Sequence, residues 1–491
     1  MAQLRGLHQP VDPTPESFMN FITCTGLDEP QLRRLHVQEK PSRWFTVKRD
    51  AATEEPRLWL YDRFRCLCDP GETGNRATGN HFPSIVSFVG NTSAGKSTIV
   101  RAMLLLGMVE QLRITRGIPT PVPDDNCLLD LLEDALKRPG EYSLPVAQGG
   151  TTPTTFGVHL YRDGPPVTDS VSVTPQYPLL LADCEGFRAG FAPTNAESYA
   201  GGLDGEEGDE DEQVESLDIK ADDYNKGKTG IDLFYARLLY AVSDVIVFVT
   251  RNPKSKAEDF PQILEWAAGA MLKTFNQPSG KTLVVVCNKL SDSNMNPQRL
   301  RNDFLGAQDQ MLWKRRGILE AFVERFNATT NLNRMIRSNS DLYGELFRSI
   351  HFCHIPDNNN VEVHNQPETL LGHFRDLKAV LDLAVGEERE IRSQSLIRYN
   401  VADLSHFLTQ TFQHFCVSNA PLDFYRATCR DNPTPSGFEE HIANFLRLAY
   451  NRKSGLADAA ENFIEDVVAL SLLILTRRRG SISMLPLYYC Y

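Results

Sequence analysis

The fold is decided by the stretch Ser84-Ile-Val-Ser-Phe-Val-Gly90-Asn-Thr-Ser-Ala-Gly-Lys96-Ser97. Its first six residues predict a buried strand, and the segment 97–111, rich in Leu and Met, predicts a helix. The residues from Gly90 to Ser97 match the pattern G-x-x-x-x-G-K-[ST]. In this pattern the glycines let backbone N–H groups surround a phosphate at the positive end of the following helix. The stretch therefore predicts a phosphate-binding loop.

Two residues of this loop have expected roles toward phosphate and metal. Lys96 would place its charge at the β- and γ-phosphates of a nucleotide, and the Ser97 hydroxyl would bind Mg²⁺. A second hydroxyl is expected from the threonine-rich segment 151–155, which would bind the same Mg²⁺ and close over the γ-phosphate. The loop therefore predicts a site for a nucleoside triphosphate with magnesium.

A second motif, Asp183-Cys-Glu-Gly186, follows a leucine-rich strand predicted at 178–182. An aspartate at the carboxyl end of a strand can hold Mg²⁺ through water, and the N–H of Gly186 can sense a γ-phosphate. Asp-x-x-Gly alone is also common in simple turns. Its position downstream of a phosphate-binding loop favours a functional motif. We expect Asp183 and Gly186 to lie beside Lys96.

A third motif, Asn288-Lys289, directly follows the strand predicted at 282–287. In G proteins this position carries N-K-x-D, whose aspartate binds the guanine base. Here Ser291 stands at the aspartate position and Asp292 comes one residue later. Either Asp292 reaches the base through a small change of the loop, or the selectivity for guanine is weakened.

Short β-branched strands, such as the one predicted at 155–161, alternate with amphipathic helices, such as the one predicted at 308–326, through the middle of the chain. This alternation predicts an α/β fold with a mostly parallel sheet that helices cover on both faces. Beyond residue 360 every convincing pattern is helical, at 366–385, 398–416, 437–451 and 457–476. We therefore expect an N-terminal extension of mixed structure at 1–82, a P-loop domain at 83–356 and an α-helical region at 357–491.

The net charge of −12 is concentrated in one segment. Residues 204–223 contain eleven carboxylates and one lysine, so the rest of the chain is nearly neutral. The overall acidity argues against a general nucleic-acid binder held by phosphate contacts. A block of like charges is either a docking tail or, by default, a disordered insertion in the switch II region, and its repulsion of phosphate predicts that it loops away from the site.

The composition favours a cytoplasmic protein. Ten scattered cysteines without a C-x-x-C pair indicate neither a zinc ribbon nor a disulfide framework, and the first residues lack the apolar core of a signal peptide. The cluster of His and Cys at 351–354 is typical of a buried strand. The longest apolar run, 467–475, is too short to cross a bilayer. Together with the arginines at 477–479 it is either a helix with a basic end or a peripheral membrane contact.

The order of these motifs resembles the G domain of Ras-like GTPases, and most of all the large GTPases related to dynamins and guanylate-binding proteins. Ser93-Ala-Gly-Lys-Ser is similar to the dynamin P-loop, Thr155-Phe-Gly-Val to switch I of guanylate-binding proteins, and Asp183-Cys-Glu-Gly-Phe to their D-T-E-G-L. The resemblance covers about 83–356. It implies a Ras-like P-loop G domain followed by an α-helical region, and it singles out Thr155 as the magnesium threonine.

Two departures from these families bear on hydrolysis. Ser93 stands where guanylate-binding proteins carry a P-loop arginine, and Phe187 replaces the glutamine that follows D-x-x-G in Ras-like enzymes. We therefore expect hydrolysis that is slow or is stimulated by assembly. A nucleotide-dependent homodimer, in which a partner subunit supplies an arginine, is the expected form of that assembly.

The motifs and the resemblance together imply one site. Catalytic roles are expected for Lys96, Ser93 and Thr155, and the expected Mg²⁺ ligands are Ser97, Thr155 and Asp183. The expected nucleotide contacts are Gly90, Asn91, Thr92, Ser93, Ala94, Gly95, Lys96, Ser97, Thr98, Gly186, Asn288, Lys289 and Asp292. The leading interpretation is a large G protein that binds GTP and GDP, hydrolyses GTP and couples the nucleotide switch to assembly or partner binding. A P-loop ATPase and a regulatory module that holds nucleotide without hydrolysis are the alternatives.

Overall fold

The computed structural model describes the chain in segments. The described residues are 18–19, 22, 40–49, 55–68, 81–116, 145, 157–164, 176–184, 186, 213–220, 228–251, 263–264, 266–267, 269–270, 280–290, 297–302, 339–357, 367–394, 398–423, 437, 440–441, 443–444 and 447. The chain divides into two compact units, Met1–Ala270 with Pro278–Ala420 and Met271–Gln277 with Pro421–Tyr491. All the helices and strands described below belong to the first unit.

Nine strands of this unit form one sheet. They are β1 Arg43–Arg49, β2 Pro56–Tyr61, β3 Ser84–Gly90, β4 Val158–Asp163, β5 Leu179–Cys184, β6 Gln213–Asp218, β7 Val245–Thr250, β8 Lys281–Leu290 and β9 Phe347–Pro356. Their order across the sheet is β6-β2-β1-β4-β5-β3-β7-β8-β9.

The sheet combines a parallel part with an antiparallel part. The neighbours β5, β3, β7, β8 and β9 pair in parallel. The pairings from β5 through β4, β1 and β2 to β6 are antiparallel. Every residue of β3 and β7 is buried, as expected for continuous apolar strands covered on both faces. The predicted α/β class is thus confirmed, and the sheet is parallel in part.

In the described part of the chain, six helices with defined bounds accompany the sheet. They are α1 Arg63–Cys68, α2 Lys96–Arg116, α3 Lys228–Val242, α4 Asn339–Leu346, α5 Pro367–Gln394 and α6 Val401–Val417. A short 3₁₀ turn, Lys40–Ser42, precedes β1.

Helices cover both faces of the sheet. Residues of α2 and α5 share a buried apolar cluster with Val86 and Phe88 of β3. Ser87 lies between these two residues and therefore points to the opposite face. Its hydroxyl oxygen lies 2.5 Å from that of Ser243, which directly follows α3. Helices α2 and α5 thus pack on one face, called the α2 face below, and α3 packs on the other.

One expectation about the acidic block is wrong. Within 204–223, residues Gln213–Asp218 are not an unstructured insertion but form the edge strand β6, which pairs with β2. Nε of Arg57 on β2 donates a 2.7 Å hydrogen bond to Oδ1 of Asp218, and Ile219 is buried. Polar residues alternate with Leu217 and Ile219 here, which is a strand pattern that the charge of the block hides.

Two boundaries also differ from expectation. The helix predicted at 366–385 continues to Gln394 as α5. The strand predicted from Thr155 begins at Val158, directly after Gly157, whose φ is +77°. A Cβ at Gly157 would lie 2.6 Å from the carbonyl oxygen of Phe45 on β1, so this turn requires glycine.

Some predicted elements fall elsewhere in the chain. The helices predicted at 308–326 and 457–476 lie outside the described residues. In the part of the chain that the structure describes, no helix combines the length and apolarity needed to cross a membrane.

Candidate functional site

Four parallel strands end together at one edge of the sheet, called the carboxyl edge below. Gly90 at the end of β3 is paired with Val249 of β7, and Asp183 at the end of β5 is paired with Phe88. From β3 the chain builds β4 and β5 on one side and then β7 and β8 on the other. Ligands of open α/β sheets bind at such a reversal of strand order, outside the carboxyl ends of the strands. The three sequence motifs all lie at this edge.

The predicted phosphate-binding loop connects β3 to α2 in an unusual backbone conformation. Ser93 has a φ of 60°, in the left-handed region that residues other than glycine rarely adopt, and it is exposed at the tip of the loop. Gly95 has a φ of 88°. A Cβ at Gly95 would lie 2.2 Å from Nδ2 of Asn288, so the loop requires glycine here for both its conformation and its contact.

Lys96 begins α2, and its side chain folds back under the loop. Its Nζ donates hydrogen bonds to the carbonyl oxygens of Gly90, at 3.1 Å, and of Asn91, at 3.0 Å. The lysine is only 6% exposed, and the first turn of α2 carries no acidic residue. The ammonium charge and the positive end of the helix dipole therefore act at the same place, where they favour an anion.

Asp183 is completely buried at the end of β5. It is directly opposite Phe88, and Phe88 belongs to the apolar cluster on the α2 face. Paired residues of neighbouring strands share a face, so Asp183 points to the α2 face, which is covered by the helix whose second residue is Ser97. A hydroxyl and a carboxylate are the hard oxygen donors that Mg²⁺ prefers, and this pair fits the expected metal. Thr155, the third expected ligand, lies outside the described residues.

Gly186 packs directly against the phosphate-binding loop. A Cβ at Gly186 would lie 2.4 Å from Cα of Thr92 and 2.7 Å from its backbone nitrogen, closer than real side chains approach backbone. Gly186 is buried, and its neighbour Glu185 lies outside the described residues. The predicted second motif therefore contacts the first one.

Asn288 also contacts the loop. Its Nδ2 donates a 2.7 Å hydrogen bond to the carbonyl oxygen of Ala94, and the residue is buried. Lys289 continues β8, and its side chain is outside the described part, as is the whole of Asp292. Asn288 therefore contacts the predicted phosphate-binding loop.

Sequence reasoning placed these residues at one site but missed how they contact one another. Neither the support of Ala94 by Asn288 nor the packing of Gly186 on Thr92 has a local sequence signal. Both contacts join residues far apart in the chain, and they depend on the register of the parallel strands. The D-x-x-G pattern already indicated that glycine is required at position 186, but it did not indicate which residue the glycine contacts there.

The remaining motif with metal-binding residue types gives a different result. Residues 351–354 lie in β9, as predicted, and the ring of His354 contacts that of His373 with centroids 4.4 Å apart. Among the residues that the structure describes, no group of three or more His, Cys, Asp or Glu could hold a metal ion.

Comparison with known proteins adds one finding. No family model matches the chain, and no curated protein matches it. Among solved structures, the chain is similar to one described as the signal recognition particle receptor SRb-GTP/SRX complex from Chaetomium thermophilum. The sequence identity is 12%, the TM-score is 0.27, and the match covers 57% of this chain and 97% of that chain.

Proposed function

We propose that this chain is a P-loop GTPase that binds GTP with Mg²⁺ at the carboxyl edge of its sheet and hydrolyses it to GDP and phosphate. One observation carries the proposal: two motifs distant in sequence touch the phosphate-binding loop. Asn288 donates to the Ala94 carbonyl, and Gly186 packs on Thr92. A chance match to a loop pattern would not bring the other two motifs of a G domain into contact with it.

The roles of the residues follow from this arrangement. The loop amides and Lys96 hold the β- and γ-phosphates, with the Lys96 ammonium exchanging its carbonyl partners for phosphate oxygens. Ser97, Thr155 and Asp183 would hold Mg²⁺, Asp183 through water. When bound, the magnesium ion neutralises the charge that develops on the phosphate oxygens. Gly186 donates a hydrogen bond from its backbone N–H to the γ-phosphate. Loss of the γ-phosphate on hydrolysis would therefore change the packing of Gly186 on Thr92.

The sheet supports the finer fold as well. The strand β4, antiparallel to its neighbour, followed by the parallel strands β5, β3, β7, β8 and β9, is the arrangement that a Ras-like G domain implies. The strands β1, β2 and β6 extend that domain on the side of β4. In this proposal the G domain includes segments from outside 83–356.

Hydrolysis by this site is expected to be slow without a partner. Ser93 at the exposed tip of the loop supplies no positive charge, and Phe187 cannot orient a water molecule. An arginine supplied by another subunit in a nucleotide-dependent homodimer would raise the rate, by about 10³-fold or more in comparable cases. Such a dimer is what the resemblance to large GTPases implies.

A P-loop ATPase is the second candidate, and one specific observation favours it. Ser291 stands where an aspartate would bind guanine, and the side chain of Asn288 is engaged with the loop. Under this alternative the phosphate chemistry is the same and only the base differs. A module that holds nucleotide without hydrolysis would share the geometry as well.

A phosphate-release assay separates these candidates. Purified protein is incubated with GTP or ATP and Mg²⁺ at several protein concentrations, with Lys96→Ala as the background. The proposal predicts release from GTP above that background and a rate per subunit that rises with concentration. Faster release from ATP would support the ATPase, and nucleotide binding without release above background would support the non-hydrolysing module.

A further inference from the structure

His159 lies beside the aspartate expected to bind magnesium. In the antiparallel pairing of β4 with β5, His159 is directly opposite Asp183. Side chains directly opposed in an antiparallel pair share a face, with their Cβ atoms about 4.5–5.5 Å apart. His159 is 5% exposed and Asp183 is fully buried. The imidazole therefore neighbours the carboxylate on the α2 face, where little water screens the two groups.

Ser42 orients this imidazole. The Oγ atom of Ser42 and the Nδ1 atom of His159 share a 2.7 Å hydrogen bond, and Ser42 is completely buried at the end of the 3₁₀ turn before β1. The ring of His159 is also nearly parallel to that of Tyr161, at an interplanar angle of 14°. The Ser42 bond engages Nδ1 and so fixes the direction of the ring and of its other nitrogen, Nε2.

We infer that His159, held by Ser42, is a positioning residue for Asp183 in the nucleotide–magnesium site; this inference rests on the proposed function. A carboxylate that holds Mg²⁺ through water acts well only when its direction is fixed. Groups that hydrogen-bond a metal-binding carboxylate fix that direction, and their replacement typically costs about 10- to 100-fold in metal affinity. His159 itself touches neither phosphate nor metal in this account, because it acts through Asp183.

The chain contains a matched control for an ordinary buried histidine. His81 is 3% exposed, and its Nδ1 lies 3.2 Å from the carbonyl oxygen of Cys68. It precedes β3 and so lies toward the amino ends of the parallel strands, away from Asp183. Replacing His81 removes a similarly buried imidazole and one similar contact. The effect of this replacement therefore measures what the loss of a buried histidine does for purely structural reasons.

The test compares His159→Phe, His159→Gln, Ser42→Ala and His81→Phe in the full-length protein. A fluorescent GTP analogue is titrated with excess Mg²⁺ and again with a chelator, and the ratio of the two affinities gives the gain due to magnesium. We expect His159→Phe to reduce this ratio about tenfold or more and Ser42→Ala about threefold. Gln at position 159, which keeps an N–H donor, should restore most of the ratio. His81→Phe should leave the ratio unchanged, and the affinity with chelator should be the same for all the variants.

Each other outcome has a distinct meaning. If wild-type protein gains no affinity from Mg²⁺, the proposed function fails and the inference fails with it. If wild type gains affinity but His159→Phe changes the ratio no more than His81→Phe does, the inference alone is overturned. Should His159→Phe fail to fold, Ser42→Ala decides, because it removes one hydroxyl only, and an unchanged ratio in that variant overturns the inference.

Discussion

Buried charged residues lie at both ends of the parallel strands, but their partners differ between the two ends. At the carboxyl edge, Lys96 rests on two backbone carbonyls beneath a loop. At the opposite end, called the amino edge below, Lys281 begins β8 close to Asp244, Glu388 and Arg392. Both lysines are 6% exposed. Burial alone therefore does not distinguish the two lysines, but their partners do: backbone carbonyls for Lys96 and charged side chains near Lys281.

The amino edge is a network of paired charges that holds α5. Arg392 on α5 forms an ion pair with Asp244, whose Oδ2 also accepts a 2.8 Å hydrogen bond from the backbone N–H of Ile85. Nη2 of Arg348 on β9 lies 2.9 Å from Oε1 of Glu388 on α5. In this network carboxylates compensate most of the cationic charge within the protein, which weakens its attraction for an added anion.

The largest expected effect comes from exchanging each lysine for methionine. Lys96→Met should lower the affinity for GTP on the order of 100-fold, because it removes charged hydrogen bonds to phosphate, and should leave the unfolding free energy almost unchanged. Lys281→Met should leave GTP affinity within about twofold, because the lysine lies at the other end of the strands, and should raise the unfolding free energy near pH 7, because burial and Arg392 disfavour its charged form in the fold. Nucleotide titration and urea unfolding of both variants check this. Loss of GTP affinity in Lys281→Met, with unchanged affinity in Lys96→Met, would contradict the comparison.

The next effect tests the contact between two motifs of the carboxyl edge. Gly186→Ala should reduce phosphate release about 10- to 100-fold, because its Cβ would meet the backbone of Thr92 and displace the loop. Gly372→Ala in α5 is the control, since a Cβ there meets nothing within 4 Å. Equal rates for the two variants would show that the contact does not hold the loop in its working position.

A smaller effect is expected from Asn288→Ala. The loss of one hydrogen bond to the Ala94 carbonyl costs about 1 kcal/mol, or about fivefold in nucleotide affinity. Because this contact supports the loop, the affinities for GTP and ATP should fall by the same factor in competition titrations. A fall confined to GTP would mean that Asn288 acts on the base instead.

The amino edge predicts a dependence of stability on pH. Burial and the nearby Arg392 lower the pKa of Lys281 to about 8 from its ordinary 10.5, against the attraction of Asp244 and Glu388. Between these values the unfolded chain binds more protons than the native one, so this group makes the unfolding free energy rise with pH. The difference between wild type and Lys281→Met should therefore grow in favour of wild type from about pH 8 to about pH 10.5. Urea unfolding at several pH values measures it, and a constant difference would contradict the low pKa.

The smallest effect is expected from the acidic block outside β6. Replacing the carboxylates of 204–212 by amides should change GTP affinity less than about twofold, because they are expected to lie away from the phosphate site. The change leaves Asp218 and its pairing with Arg57 intact, so the sheet edge is kept. A tenfold gain in affinity would place these charges close to the nucleotide.

The sequence predicted the local parts of this molecule well and the long-range parts poorly. The loop at Gly90, the buried strands and the helix after Lys96 are all encoded in runs of a few residues, and each was recognisable from its pattern. The strand β6 was missed because it lies in a strongly acidic block and its two apolar residues, Val214 and Leu217, do not alternate. The pairing of His159 with Asp183 depends on strand register, which no local pattern determines.

The central claim is that the carboxyl edge binds GTP with magnesium, and calorimetric titration of the full-length protein tests it most directly. GTP and ATP are titrated separately into wild-type protein with Mg²⁺, and GTP into Lys96→Met. The account predicts saturable binding of one GTP per chain, tighter than ATP, and loss of that binding in Lys96→Met. Absence of saturable binding to wild type, or binding of GTP that survives in Lys96→Met, would contradict it.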